Sequence, residues 1–474
     1  MVIHLKIINE QSSRMRVPAK CFMLREKDVF GMLFSFSRNK SLNLWRIIKE
    51  HSMLQHIHLE NFRCFEHYDI DFTSGVNLLI GDNGSGKTSI IKAVILALNS
   101  FFKGFSDENT TCTGIGIDDF NHTVNDGAKS MTLPVSISFD TKTFSGVTIN
   151  RTTEKAGTTY MGAKEFNKAN NLLQSTVANE SRGDRKTALP LFAYFATDDI
   201  HGNVKTNAKA YKEYFVTFSF GYYQTLRGGY FLKNWIDRLL ALKEGAKGEE
   251  ELEIVRDAAI KCLGQTGCRI IKNMSVRPIQ GHVYFDYMDG REARFEDLSD
   301  GYRRLVNIVL DLAFRCCALN RTLFHDKCCE ETCGVVCIDE LDDHLHPALQ
   351  STLIRALQQT FPKLQFIIST HAPLIMTSVQ DVPANQVILL GYHHGEYTHE
   401  VINTYGLDAS TIIKEYLHVP DREKKVAEEL VRLENLIDEE KVDEAKVLLS
   451  TLRDKYSDRI SELSNAEAML SFYE

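Results

Sequence analysis

The run Gly81-Asp82-Asn83-Gly84-Ser85-Gly86-Lys87-Thr88 constrains this chain more than any other stretch. It fits G-x-x-x-x-G-K-[ST], and its flanks are those a phosphate-binding loop requires. Val76, Leu78, Leu79 and Ile80 precede it as an apolar, strand-like run. Ile90, Ile91, Val94, Ile95 and Leu98 follow at helical spacing. Strand, glycine-rich loop and helix in that order aim backbone N–H groups and the positive end of a helix at phosphate oxygens. Lys87 is then placed for the β- and γ-phosphates of a nucleotide and Thr88 for Mg²⁺, with Ser89 in the same cradle.

A second motif lies about 250 residues further on. Val335-Val336-Cys337-Ile338 is an apolar run that ends in Asp339-Glu340. A buried strand of this kind delivers its acids to the carboxyl edge of a sheet, where ligands bind in open α/β folds. Asp339 suits the Mg²⁺ shell and Glu340 suits the base that activates water. Leu341-Asp342-Asp343-His344-Leu345-His346-Pro347 follows at once. Leu364–Ser369 reads as a further buried strand, ending in Thr370-His371-Ala372-Pro373, which sets His371 in line for a γ-phosphate. Before the acid strand, Leu298-Ser299-Asp300-Gly301-Tyr302 opens a long amphipathic pattern through Leu305, Ile308, Val309, Leu312, Ala313 and Cys316. Ser299 and Gly301 therefore fall at a helix N-terminus, where a hydroxyl and free N–H groups can meet an anion.

The remaining chain frames these motifs. Its 474 residues suggest roughly two to three domains. Residues 1–52 are basic and weakly patterned beyond a strand-like Val2–Ile8. They are either a basic arm or an upstream extension ahead of a true start at Met53, and the second reading is preferred. A regular head is expected over 53–405, with a mixed helical insertion at about 153–290 and a helical module over 406–474. Leu133–Phe139 and Gly146–Asn150 predict an antiparallel layer beside the main sheet. Residues 209–263 read as mostly helical. Arg63, in the turn Asn61-Phe62-Arg63-Cys64-Phe65, is either a phosphate contact or a surface arginine.

Bulk properties exclude several classes. Hydrophobic content of 43% and charged content of 25% are those of a globular protein. No apolar run approaches the ~18 residues of a membrane span. Eleven cysteines without a secretory pattern predict reduced thiols and a cytoplasmic setting. Cys316 and Cys337 read as core residues, and Cys328, Cys329 and Cys333 lack the spacing of zinc knuckles. A formal charge of −8 gives no global attraction to nucleic acid and leaves only a local basic groove for DNA.

Taken together, the motifs resemble the head of ABC-type ATPases of the RecF, SMC and OLD-like branch, from Met53 to about Tyr405. Two departures stand out: no clear Q-loop glutamine, and Leu-Ser-Asp-Gly-Tyr in place of the usual signature Leu-Ser-Gly-Gly-Gln. Asn61-Phe62-Arg63, Asp339-Glu340-Leu341-Asp342 with Leu345-His346-Pro347, Ser369-Thr370-His371-Ala372-Pro373 and the short helical tail are similar to the PtuA-like ATPases of Septu and retron-linked anti-phage systems. That resemblance implies ATP and Mg²⁺ as ligands, and a head-to-head dimer or higher assembly. In it, Ser299 and Gly301 cap the partner's nucleotide and Asp342 reports across the interface. It also implies an HNH-type nuclease partner and, in retron systems, a reverse transcriptase with its DNA–RNA product. A RecF-like repair ATPase without a nuclease is the alternative. The insertion is too short for the long coiled-coil arms of a full SMC protein.

Overall fold

A computed structural model describes residues 53–125, 128–180, 185–197, 217–228, 231–245, 248–420 and 422–472. The basic leader 1–52 and the start of the helical reading at 209–216 lie outside the described residues.

The chain enters through a hairpin of β1 (Leu54–Phe62) and β2 (Phe65–Asp71), then β3 (Val76–Gly81) and α1 (Lys87–Asn99). A two-stranded ribbon follows, β4 (His122–Asn125) and β5 (Ala128–Met131). Next come β6 (Val135–Thr141), β7 (Val147–Arg151), α2 (Lys164–Asn179) and β8 (Leu191–Phe195). After α3 (Leu232–Glu244) and α4 (Glu249–Leu263), a three-stranded meander is formed by β9 (Ile271–Arg277), β10 (His282–Tyr287) and β11 (Glu292–Arg294). The long α5 (Asp300–Phe324) leads to β12 (Gly334–Ile338), α6 (Pro347–Thr360) and β13 (Leu364–Ser369). A closing hairpin, β14 (Gln386–His393) and β15 (Glu396–Ile402), precedes the tail helices α7 (Lys424–Asp438), α8 (Val442–Tyr456) and α9 (Ser461–Ser471).

Two sheets sandwich α1. The main sheet has strand order β15-β14-β3-β13-β12-β8, and only β15 runs antiparallel to its neighbour. The second sheet is antiparallel, β2-β1-β6-β7, the layer expected from Leu133–Phe139 and Gly146–Asn150. Strands covered on both faces read as continuous apolar runs, which is why β3, β12 and β13 are buried at every position. Strands of the second sheet alternate: Ile57, Leu59, Ile70, Ile137 and Ile149 point inward. α1 is apolar nearly all round and accordingly buried from Ile90 to Leu98, apart from half-exposed Lys92.

Asn77 sits fully buried in central strand β3, and its amide is satisfied on both sides. It donates to the carbonyls of Thr73 and Phe366 and accepts from the Thr73 N–H and the Gln386 amide. α5 is fixed in register by a second buried polar group. Trp235 of α3 stacks on Phe314 at 4.7 Å and donates to Asp311 at 2.8 Å, while Arg315 pairs with the same carboxylate at 2.6 Å. Arg315 also reaches the Gly221 carbonyl, so this buried pair is fully bonded.

Cys316 and Cys337 are wholly buried in α5 and β12, and Cys328, Cys329 and Cys333 are buried thiols beside them. In the tail, Ile412 packs into the core of the head together with half-buried Tyr416 and Leu417. The later apolar positions Leu430, Leu433, Ile437, Ala445, Leu449, Leu452, Leu463, Ala466 and Leu470 close a separate small core among α7, α8 and α9. Ile412 at the start of the tail thus serves the head, and the later apolar positions serve the module. Among the described residues no helix is long and apolar enough to cross a membrane.

Candidate nucleotide-binding site

The glycine-rich loop follows β3 at the centre of the main sheet. Gly81 has φ +138°, and a Cβ there would lie 2.2 Å from the Leu390 carbonyl oxygen of neighbouring β14. Gly86 has φ +98°, and a Cβ there would lie 2.5 Å from the Phe65 ring. Both positions therefore demand glycine for backbone conformation and for space. Lys87 folds back over the loop and donates to the carbonyls of Gly81 and Asp82, each at 2.8 Å. An ammonium carries three protons, and these bonds use two. Burial pulls the Lys87 pKa down, opposed by the charges of Asp82, Asp339, Glu340 and Asp342. The buried Ser85 hydroxyl has no protein partner.

β12 and β13 bring the acids and the histidine to the same edge. Asp339 accepts from the Ser369 hydroxyl at 2.5 Å and from the Thr88 hydroxyl at 3.4 Å. The Glu340 N–H donates to Ser369 Oγ at 2.8 Å. One Ser369 hydroxyl thus fixes the Asp339 carboxylate and the Glu340 main chain. Glu340 has φ +49°, an uncommon backbone for a side chain, so the chain turns sharply and splits the two carboxylates. Asp342 accepts from the Thr370 hydroxyl at 2.6 Å and from the His371 N–H at 3.1 Å. It therefore fastens the histidine loop within its own chain.

A pocket of about 380 Å³ gathers these groups. Asn83, Gly84, Gly86, Lys87, Thr88 and Ser89 line one side, and Asp339, Glu340, Ser369 and His371 the other. Gly81, Asp82 and Ser85 shape the loop behind the lining. Arg63 lies outside it: its guanidinium pairs with buried Asp119 at 2.9 Å. Ser299 and Gly301 also lie outside it. Ser299 caps α5 by accepting from the Tyr302 N–H, and a Cβ on Gly301 would lie 2.2 Å from the His344 carbonyl oxygen.

Four residues with no role in the sequence reading matter here. Ser369 positions the Asp339 carboxylate and the Glu340 main chain. Buried Arg304, in the second turn of α5, donates to the Asp339 carbonyl oxygen and to Asp343. Cys64 and Tyr397 complete the pocket wall beside Ser89. A basic residue after the signature-like turn was the available sign for Arg304, while nothing in the sequence pairs Cys64 with Tyr397.

The donor set fits a nucleoside triphosphate with Mg²⁺. The glycine cradle, the buried ammonium and the unpartnered Ser85 hydroxyl suit phosphate oxygens. A threonine hydroxyl and one carboxylate are the hard oxygen donors that Mg²⁺ takes when phosphates complete its shell. Among the described residues no group of three His, Cys, Asp or Glu side chains is arranged to hold a metal by itself.

Fold, motif order and site geometry are those of a P-loop ATPase head, and they resemble the ABC-type heads of the RecF, SMC and OLD-like branch. Comparison with known proteins agrees: residues 56–258 match the AAA domain family. Residues 169–377 match a further family, described as "AAA domain, putative AbiEii toxin, Type IV TA system". The particular resemblance is to defence-system ATPases. The chain is 37% identical over 122 residues to the Retron Vc95 probable ATPase of Vibrio cholerae serotype O1 biovar El Tor, covering 26% of this chain and 23% of that protein. It is 23% identical to the Retron Ec83 probable ATPase of Escherichia coli, over 84% of this chain and 82% of that one. It is 34% identical over 103 residues to Septu protein PtuA of Bacillus mycoides, covering 22% and 13%. The matched segments thus span under a quarter of the Vibrio and Bacillus relatives.

Proposed function

We propose that the protein hydrolyses ATP and that this hydrolysis is the switch of an anti-phage defence complex. One observation carries the reading. Lys87, Thr88, Asp339, Glu340 and His371 line a single pocket, while the helix-opening turn Ser299–Gly301 of the same chain lies outside it. The pocket is complete when the turn of a second copy covers it. ATP therefore acts as the bridge between two heads, and its loss lets them part.

Within the pocket, Lys87 and the loop N–H groups hold the phosphates. Glu340 takes a proton from the attacking water, and His371 donates to the γ-phosphoryl group. Thr88 and Asp339 would hold Mg²⁺, which would offset negative charge on the phosphoryl oxygens. Closure of the second copy excludes water from the pocket and adds the Ser299 hydroxyl and the Gly301 N–H to the anion's contacts. The names of the retron and Septu relatives support the defence role. By resemblance, the damaging chemistry belongs to a partner nuclease of the HNH type, with a reverse transcriptase and its DNA–RNA product in a retron setting.

The test is to isolate tagged Glu340→Gln protein from its native locus in ATP. The expected result is a dimer or larger assembly that carries a nuclease. Dimers without any nuclease, accompanied by DNA and recombination factors, would replace the defence reading with a repair one. A monomer in saturating ATP would remove the shared-site mechanism.

A further inference from the structure

One end of the pocket is built differently from the rest. Past Ser89 the lining passes to Cys64, in the β1–β2 turn, and to Tyr397, on β15. The Cys64 thiol lies beside the Ser89 and Tyr397 side chains. Tyr397 is held from behind: Phe65 meets its ring edge-on at 5.0 Å, and Phe65 is stacked on Tyr68 at 4.4 Å. Phe65 is also the ring that a Cβ on Gly86 would strike, so the aromatic group is in register with the phosphate loop. On the outer side Tyr392 packs against Tyr397 at 4.7 Å and is 57% exposed. The pairing Tyr392↔Tyr397 makes them cross-strand neighbours, and Leu390↔Gly81 ties their hairpin to the start of the loop. The result is an aromatic shelf that runs from the phosphate cradle toward solvent.

The direction of this shelf fits the rest of the nucleotide. Lys87, Glu340 and His371 mark the reacting end, and Thr88 stands beside the Mg²⁺ donor Asp339. Ser89 lies one residue further along the chain, and the same pocket is also lined by Cys64 and Tyr397. We infer that Tyr397, extended by Tyr392, is the stacking platform for the base of the nucleotide, and that Cys64 faces its sugar. This rests on the nucleotide reading above. Cys64, Ser89 and Tyr397 offer a thiol and hydroxyls, with no carboxylate or amide among them to read the base edge. The platform therefore takes purines of either kind by their flat faces.

The experiment measures binding of non-hydrolysable ATP and GTP analogues, and of inorganic tripolyphosphate, to the full chain with Mg²⁺. Tyr397→Ala is expected to weaken both nucleotides roughly tenfold and to leave tripolyphosphate unchanged. Tyr397→Phe, which keeps the ring, retains nucleotide affinity. Lys87→Ala weakens all three ligands. In parallel, wild-type protein is alkylated with iodoacetamide and the Cys64 peptide is followed by mass spectrometry. Burial pushes the Cys64 thiol up, so labelling is run at mildly alkaline pH, where thiolate forms. The ATP analogue is expected to slow alkylation of Cys64, and tripolyphosphate is not. Unchanged nucleotide affinity in Tyr397→Ala, or equal losses for nucleotide and tripolyphosphate, would overturn the platform. So would Cys64 labelling indifferent to the analogue, a readout that needs no variant to fold. Full nucleotide affinity in Lys87→Ala would instead overturn the phosphate site itself.

Discussion

Arg304 donates to the main-chain carbonyl oxygen of Asp339 at 2.7 Å. The same guanidinium pairs with Asp343 at 3.1 Å and is buried. The helix that carries Ser299 and Gly301 is thereby bolted to the strand end that carries the acids. A shift of that helix, as in the closure proposed above, would be felt at Asp339 and at the loop behind Glu340. Arg304→Ala leaves a buried carbonyl without its donor, at a cost of about 1–3 kcal/mol. Turnover should fall by more than tenfold beyond what the stability loss explains. Arg304→Lys should recover only part, because one ammonium cannot span both acceptors as a guanidinium fork does. Urea denaturation and turnover at saturating ATP are the measurements. Full activity in Arg304→Ala would show that the bolt is structural only.

Asp342 holds the histidine loop through the Thr370 hydroxyl and the His371 N–H. Asp342→Ala removes both acceptor contacts and should cost about 1–2 kcal/mol. Asp342→Asn keeps an acceptor oxygen and should behave nearly as wild type in stability. Hydrogen exchange at the His371 amide separates the two. It should accelerate strongly in the alanine variant and little in the asparagine one. Equal protection in both would mean that the loop is held by other contacts.

The roles of the two neighbouring acids separate by kinetics. Glu340→Gln should lower turnover by about 10²–10⁴-fold, the range for a lost general base, with ATP affinity kept. Asp339→Asn should instead raise the Mg²⁺ concentration needed for half-maximal rate, since this carboxylate meets the Thr88 hydroxyl. Turnover is measured across an Mg²⁺ series for each variant. Identical Mg²⁺ profiles for wild type and Asp339→Asn would contradict the assignment.

Much of this site was legible in the sequence because its strands are central. β3, β12 and β13 are covered on both faces, so each had to be an unbroken apolar run, and the polar residues that end each run marked the sheet's functional edge. Ser299 was legible as a helix cap because α5 has a long amphipathic period. The nucleoside end was not legible. Cys64 and Tyr397 are brought together only because β14 pairs with β3, a long-range choice that no local pattern announces. Arg63 carried an open reading because its partner, Asp119, sits in a polar stretch without period. The tail 406–474 reads as one helical module, and only packing assigns Ile412 to the head.

Lys87 gives a prediction with a definite sign. Burial depresses its folded-state pKa below the ordinary 10.5, while the unfolded chain keeps the ordinary value. The unfolded state therefore binds the proton more tightly. The stability tied to this group is present above 10.5 and is lost as pH falls through the depressed folded value. Nucleotide-free protein should gain this stability as pH rises through the window between the depressed folded value and 10.5. Lys87→Met removes the titrating group and should flatten the rise. Bound triphosphate brings anionic oxygens to the ammonium, restores its pKa upward and should flatten the wild-type curve in the same way. Urea denaturation across a pH series, with and without a non-hydrolysable ATP analogue, reads all three conditions. Parallel curves for wild type and Lys87→Met would show that the buried ammonium carries no such linkage.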